Sequence, residues 1–117
     1  MTDMVNHPPH YEKQSIRVEP IDILQFAPFD LGNALKYIIR SKHKGNELMD
    51  LKKAEFYLQH LMDNENYQHK EHVSWFLCNY GNLVERFEGC EALEWNSYND
   101  MFSLLEDVQK RIEALEK

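Results

Sequence analysis

The sequence predicts an all-α fold, a compact bundle of about five helices behind an irregular, proline-containing N-terminal arm. Three observations lead there. Apolar residues recur three and four positions apart through several long segments, the helical period, and no segment keeps up the alternation of a half-buried strand. Only four Gly and four Pro punctuate 117 residues. A chain of this length can bury about two-thirds of its unfolded surface, enough for one core, so residues 1–117 are read as one domain. Within it we distinguish an arm (1–18), a helical motif (19–64) and C-terminal helices (65–117).

The arm contains Asn6-His7-Pro8-Pro9-His10-Tyr11, where two prolines fix φ and push the residues before them toward extended geometry. Glu19-Pro20-Ile21-Asp22 then opens a short helix, with Pro in the first turn and acids at the positive dipole end. Ile21, Leu24 and Phe26 are its apolar residues, and Pro28 stops it. A second helix follows Asp30 as cap and runs to about His43, ahead of Gly45-Asn46. A third, from about Glu47 to Asn64, places Leu51, Ala54, Leu58, Leu61 and Met62 on one face. The second and third helices form an αα-hairpin.

After a polar break at residues 63–69, Val73, Trp75, Phe76, Leu77 and Cys78 supply the apolar bulk of a fourth, buried helix that continues through Leu83, Val84 and Phe87. Ser97-x-x-Asp100 resembles a capping box. It would open a last helix in which Met101, Leu105, Val108, Ile112 and Leu115 form an a/d seam. Glu106/Lys110, Asp107/Arg111 and Glu113/Lys117 are acid-before-base pairs at i, i+4 on the outer face of that helix. The seam, with Trp75, Phe76 and Trp95, is ample apolar material for a homo-oligomer contact.

Charge narrows the function classes. The chain carries a formal −7, a field that repels nucleic acid and anionic membrane. No apolar run approaches the length needed to cross a bilayer, and neither end shows a secretory leader, so a soluble cytoplasmic protein is expected. Cys78 and Cys90 fit no metal or redox pattern and are read as free, mostly buried thiols. Against the acidic background, residues 33–53 hold six cations (Lys36, Arg40, Lys42, Lys44, Lys52, Lys53) and two anions (Glu47, Asp50). Such clustering in an acidic protein suits a compact anion.

The second helix carries that cluster on one face. At 100° per residue, Asn33, Lys36, Tyr37, Arg40 and Lys44 share an arc of about 100°, opposite Leu31, Leu35, Ile38 and Ile39. Arg offers a planar fork to phosphate oxygens, Lys a movable point charge and Tyr a flat ring for a base. Phosphate is what this stripe fits, and an ordinary solvated helix face is the alternative reading.

The ordered set Asn6-x-Pro8-x-His10-Tyr11, Glu19-x-Ile21-Asp22, Gly32-Asn33-x-x-Lys36-Tyr37-x-x-Arg40-x-x-x-Lys44 and Asp50-Leu51-x-Lys53-Ala54-x-x-Tyr57-Leu58 resembles a family of small bacteriophage proteins of unknown function. That family includes a nucleotide kinase of a lytic coliphage. The resemblance covers about residues 5–62 and implies nucleotide handling in the cytoplasm of an infected bacterium. It implies phosphoryl transfer without a P-loop, and this sequence has no GxxxxGK[ST]. By motif position it carries over His10, Tyr11, Asn33, Lys36, Tyr37, Arg40, Lys44, Asp50 and Lys53 as ligand-binding residues. Glu12-Lys13-Gln14-Ser15 lacks the glycine associated with the family after the arm motif.

Three activities are compatible with these residues. One is nucleoside monophosphate kinase chemistry, in which positioning and positive charge supply most of the catalysis. His10 or Asp50 would then orient the acceptor phosphate. Another is a non-catalytic sponge that sequesters a signalling nucleotide of host defence, needing only the stripe and a stacking ring. The third is metal-dependent nucleotide pyrophosphohydrolysis, for which Glu19-x-x-Asp22 and Glu47-x-x-Asp50 have the i, i+3 acid spacing. Capping of helix starts explains those acids better. His7-x-x-His10 and His69-x-x-His72 lack the cysteines of a zinc site and are read as solvated. No metal or cofactor is assigned.

Overall fold

The computed structural model of the chain describes residues 19–43, 45–64, 66–90 and 100–117. The expectations for the arm, His10, Tyr11, Lys44, Trp95 and Ser97 lie outside them. The fold is an all-α bundle: among the described residues the elements are α1 (Pro20–Leu24), α2 (Phe29–Ser41), α3 (Glu47–Asp63), α4 (Tyr67–Val84) and α5 (Asp100–Glu116).

Helix α1 begins where the Glu19 backbone N–H donates to Asp22 Oδ2 at 3.0 Å, with Pro20 in the first turn. Those two acids therefore cap a helix. Ile23 and Leu24 enter the core, whereas Ile21 is 69% exposed. A five-residue helix is too short to show a period, so its inner face could not be read from spacing. Phe26 stays exposed and stacks on Tyr80 of α4 (5.2 Å, 5°).

Helix α2 starts one residue before Asp30, with Pro28 in the cap position. Asp30 is thus inside the first turn, buried, and its carboxylate accepts from His60 Nδ1 at 2.7 Å instead of capping its own backbone. The expected inner face is observed: Leu31, Leu35, Ile38 and Ile39 are buried, together with Ala34. At Gly32 a Cβ would lie 3.2 Å from the Leu24 carbonyl oxygen, so glycine permits α1 to approach this closely. The helix ends at Ser41, whose hydroxyl donates to the Ile38 carbonyl at 2.6 Å. Gly45 (φ +69°) takes the left-handed conformation in the turn to α3.

Helix α3 packs antiparallel to α2, burying Leu51, Ala54, Leu58, Leu61 and Met62 as the spacing predicts. The polar break that follows is shorter than expected. Asn66 caps α4 by accepting from the His69 N–H at 2.8 Å, so the helix begins at Tyr67. Val73, Phe76, Leu77 and Val84 are buried, while Trp75 and Cys78 are exposed; Cys90 is the buried thiol. His72 Nε2 lies 3.0 Å from the Phe26 carbonyl, and His69 Nε2 is buried without a hydrogen-bond partner. Neither imidazole is simply solvated.

Helix α5 lies along α3. Its seam residues Met101, Leu105, Val108 and Ile112 are buried, with Leu115 partly so. The apolar stripe read as an oligomer contact is therefore covered by the chain's own core. Arg111 also departs from expectation. Instead of pairing with Asp107 it forks Glu47 of α3, with Nε and a terminal nitrogen 3.0 and 3.2 Å from the two carboxylate oxygens. Lys42 Nζ reaches the same carboxylate at 3.7 Å, and Lys52 joins Glu116 at 3.0 Å.

Hydrogen bonding from Arg111 holds the Glu47 carboxyl below its ordinary value, against an upward push from burial, and the charges of Arg111 and Lys42 add to the lowering. A depressed folded-state value means stability that is present above the ordinary value of 4.5 and lost as pH falls through the lowered one. Glu47→Gln should accordingly be less stable than wild type at neutral pH, with the difference closing on acidification. Urea denaturation on both sides of that window checks it. Leu105→Asp, which buries a charge beside α3, should destabilise by about 3 kcal/mol or more, read from the urea midpoint.

Candidate functional site

The antiparallel register of α2 and α3 assembles the site. The outer stripe of α2 runs from Phe29 through Asn33, Lys36 and Tyr37 to Arg40. On α3, Lys53, Tyr57 and His60 recur at i, i+4, i+7 and so share a face. The register lays Tyr37 over Tyr57, with ring centroids 6.1 Å apart and planes within 8°. Lys36 Nζ, from α2, lies 4.6 Å from the Tyr37 ring centroid, and Lys53 Nζ, from α3, lies 5.3 Å from it. A ring face attracts a cation, contributing about 0.5–1 kcal/mol at exposed positions.

Both ammonium groups are exposed, and among the described residues neither forms an ion pair. Lys42, Lys52 and Arg111, by contrast, each engage a carboxylate. Two uncompensated like charges over one aromatic ring make a local positive field on an acidic protein.

Arg40 sits at the hairpin's turn end. Its Nε is 3.9 Å from Asp50 Oδ1, which leaves the two terminal nitrogens as the free edge of the guanidinium. The Asp50 side chain is only 4% exposed, and its Oδ2 has no hydrogen-bond partner. Asp50 is therefore placed beneath Arg40 as an orienting charge. Asn33 is partly buried and donates its amide to the Phe29 carbonyl at 2.9 Å, leaving its side-chain oxygen for other partners.

Beside this face, α1 and α2 enclose a hollow of about 510 Å³. Ile21, Leu24, Ala27 and Phe29 form its apolar walls, and Gln25, Asn33 and Lys36 are its polar groups. Apolar walls with a few convergent polar groups are the usual make-up of a small-molecule pocket. Lys36 belongs to both features, at the rim of the hollow and over the Tyr37 ring.

The structure thus brings Asn33, Lys36, Tyr37, Arg40, Asp50 and Lys53 together. His10, Tyr11 and Lys44 lie outside the described residues. Phe29, which lines the hollow, and Tyr57, which stacks on Tyr37, were absent from the sequence-based set, as was the neighbouring Asp30–His60 pair. The 53/57/60 spacing on α3 was the available signal for two of them. The paired acids have separate tasks, since Glu19 and Asp22 form the start of α1 while Glu47 turns to α5 and Asp50 to Arg40. Among the described residues no group of three or more His, Cys, Asp or Glu could hold a metal ion.

Comparison with known proteins adds one likeness. Residues 5–59 match a family model described as a protein of unknown function (DUF3310). The matched span contains α1, α2 and most of α3, the elements that build the site. No curated protein and no solved structure matches the chain.

The Arg40/Asp50 pair is open to a direct check. Arg40→Ala leaves a buried carboxylate without its counter-charge, whereas Arg40→Ala combined with Asp50→Asn removes that charge. The double variant should recover stability relative to the single one, with a coupling of about 1–2 kcal/mol in a thermal-unfolding double-mutant cycle.

Proposed function

We propose that this protein binds a phosphorylated nucleotide on the α2–α3 face. Lys36, Lys53 and the free edge of Arg40 hold the phosphates, and the adjoining hollow takes a nucleoside. The observation that carries this reading is the pair of ammonium groups, one from each helix, over a single tyrosine ring and, among the described residues, in no ion pair. An anion placed there relieves their mutual repulsion and gains charge-assisted hydrogen bonds. Each such bond contributes about 1.5–3 kcal/mol, so three supply about 4.5–9 kcal/mol, at best a micromolar-class anchor before ordering costs are subtracted.

The resemblance of the sequence motifs to a phage family that includes a nucleotide kinase favours phosphoryl transfer to a nucleoside monophosphate as the chemistry of this site. With no P-loop, side chains on helices would hold the transferring group in line, and positive charge would stabilise it. Sequestration of a nucleotide without turnover uses the same contacts. Mass spectrometry of small molecules released on denaturation separates the two readings. A sponge returns its nucleotide intact, whereas a kinase given a monophosphate and a triphosphate yields two diphosphates.

Lys36→Ala and Lys53→Ala should each weaken nucleotide binding about 10- to 150-fold by calorimetry, with melting temperatures lowered by no more than a few degrees, the loss of one exposed cation–ring contact. Wild-type affinity in both variants would remove the phosphates from this face.

A further inference from the structure

Phe29, at the start of α2, is 75% exposed and stands between two surfaces. On one side it lines the hollow against α1. Toward α3 it meets Tyr57 edge-on (6.1 Å, 74°), and Tyr57 meets Phe56 edge-on (5.3 Å, 83°). Phe56 is 63% exposed and lies nearly parallel to the His60 imidazole (6.2 Å, 20°). Large apolar rings left in water beside a polar reader mark a binding surface.

The His60 ring is about half exposed, and it is oriented from behind. Asp30, nine-tenths buried, accepts from Nδ1 at 2.7 Å. A carboxylate can only accept, so Nδ1 carries the proton, and the outer Nε2 is left to hydrogen-bond a ligand. Neither the hollow nor the lysine pair makes use of this imidazole. Lys53 and His60 are seven residues apart on α3, about 10 Å along the axis and on the same face.

Two ring-binding surfaces therefore flank one cation pair. Resting on the nucleotide reading above, we infer that the ligand is a dinucleotide, two nucleosides joined through phosphate. One base occupies the hollow. The second stacks on Phe56, with Tyr57 edge-on beside it, where His60 Nε2 hydrogen-bonds its edge. The phosphates between them lie at Lys36 and Lys53. Stacking on exposed aromatic rings contributes about 1–3 kcal/mol per base, so a second base should strengthen binding about 5- to 150-fold.

Calorimetry with AMP and with the linear dinucleotide pApA tests this on the whole chain. Wild type should bind pApA at least about fivefold more tightly than AMP. Phe56→Ala and His60→Gln should each bring pApA to within about threefold of AMP, leaving AMP affinity unchanged. His60→Gln also alters the partner of Asp30, so the exposed Phe56→Ala variant carries the test if the other fails to fold. AMP binding without a preference for pApA would overturn the dinucleotide and leave the nucleotide reading standing. A preference that survives Phe56→Ala, or loss of AMP binding in that variant, would likewise overturn it. Binding of neither compound would overturn both readings.

Discussion

Each helix of the α2–α3 hairpin buries an aspartate in its first turn and presents a base in its last: Asp30 and Arg40 on α2, Asp50 and His60 on α3. Antiparallel packing sets each acid against the other helix's base, Asp30 with His60 and Asp50 with Arg40. Acids at helix N-termini and bases at C-termini also suit the macrodipoles. The two crossed pairs and the buried stripes agree on a single register, and that register brings Tyr37 to Tyr57 and Lys36 to Lys53. A slip of one helical turn, about 5.4 Å, would undo all of these pairings together.

The crossed pairs also explain how an acidic chain keeps a cationic face. The carboxylates needed to orient Arg40 and His60 are beneath the surface, where they hold their partners from behind and leave the outer edges free. Carboxylates nearer solvent are drawn elsewhere, Glu47 to Arg111 and Glu116 to Lys52 on the α5 side. The field over Tyr37 is consequently set by the lysines.

Much of this arrangement was legible in the sequence, because helical period is a local property. The inner faces of α2 and α3, the α5 seam and the outer stripe from Asn33 to Arg40 all follow from spacings of three and four. What escaped depends on residues far apart in the chain. Asp30 looks like an N-cap until His60, thirty residues on, supplies a better donor. Arg111 has an acid four residues away, yet Glu47, sixty-four residues distant, presents both oxygens to its fork. The α5 seam showed that something must cover it, and only the packing of α3 identified what did. Tyr57 stood in the recognised motif, but its partnership with Tyr37 needed the hairpin register.

The contact between Gly32 and the Leu24 carbonyl sets how the hollow can vary. A Cβ at position 32 would meet backbone there rather than a side chain, so no choice of rotamer can relax the approach. A side chain at position 32 would require α1 to give by a few tenths of an ångström. Diversification of this cavity is therefore channelled to positions such as Ile21 and Gln25, exposed side chains that line it. Relatives with different ligand preferences should differ at those positions while sharing the glycine.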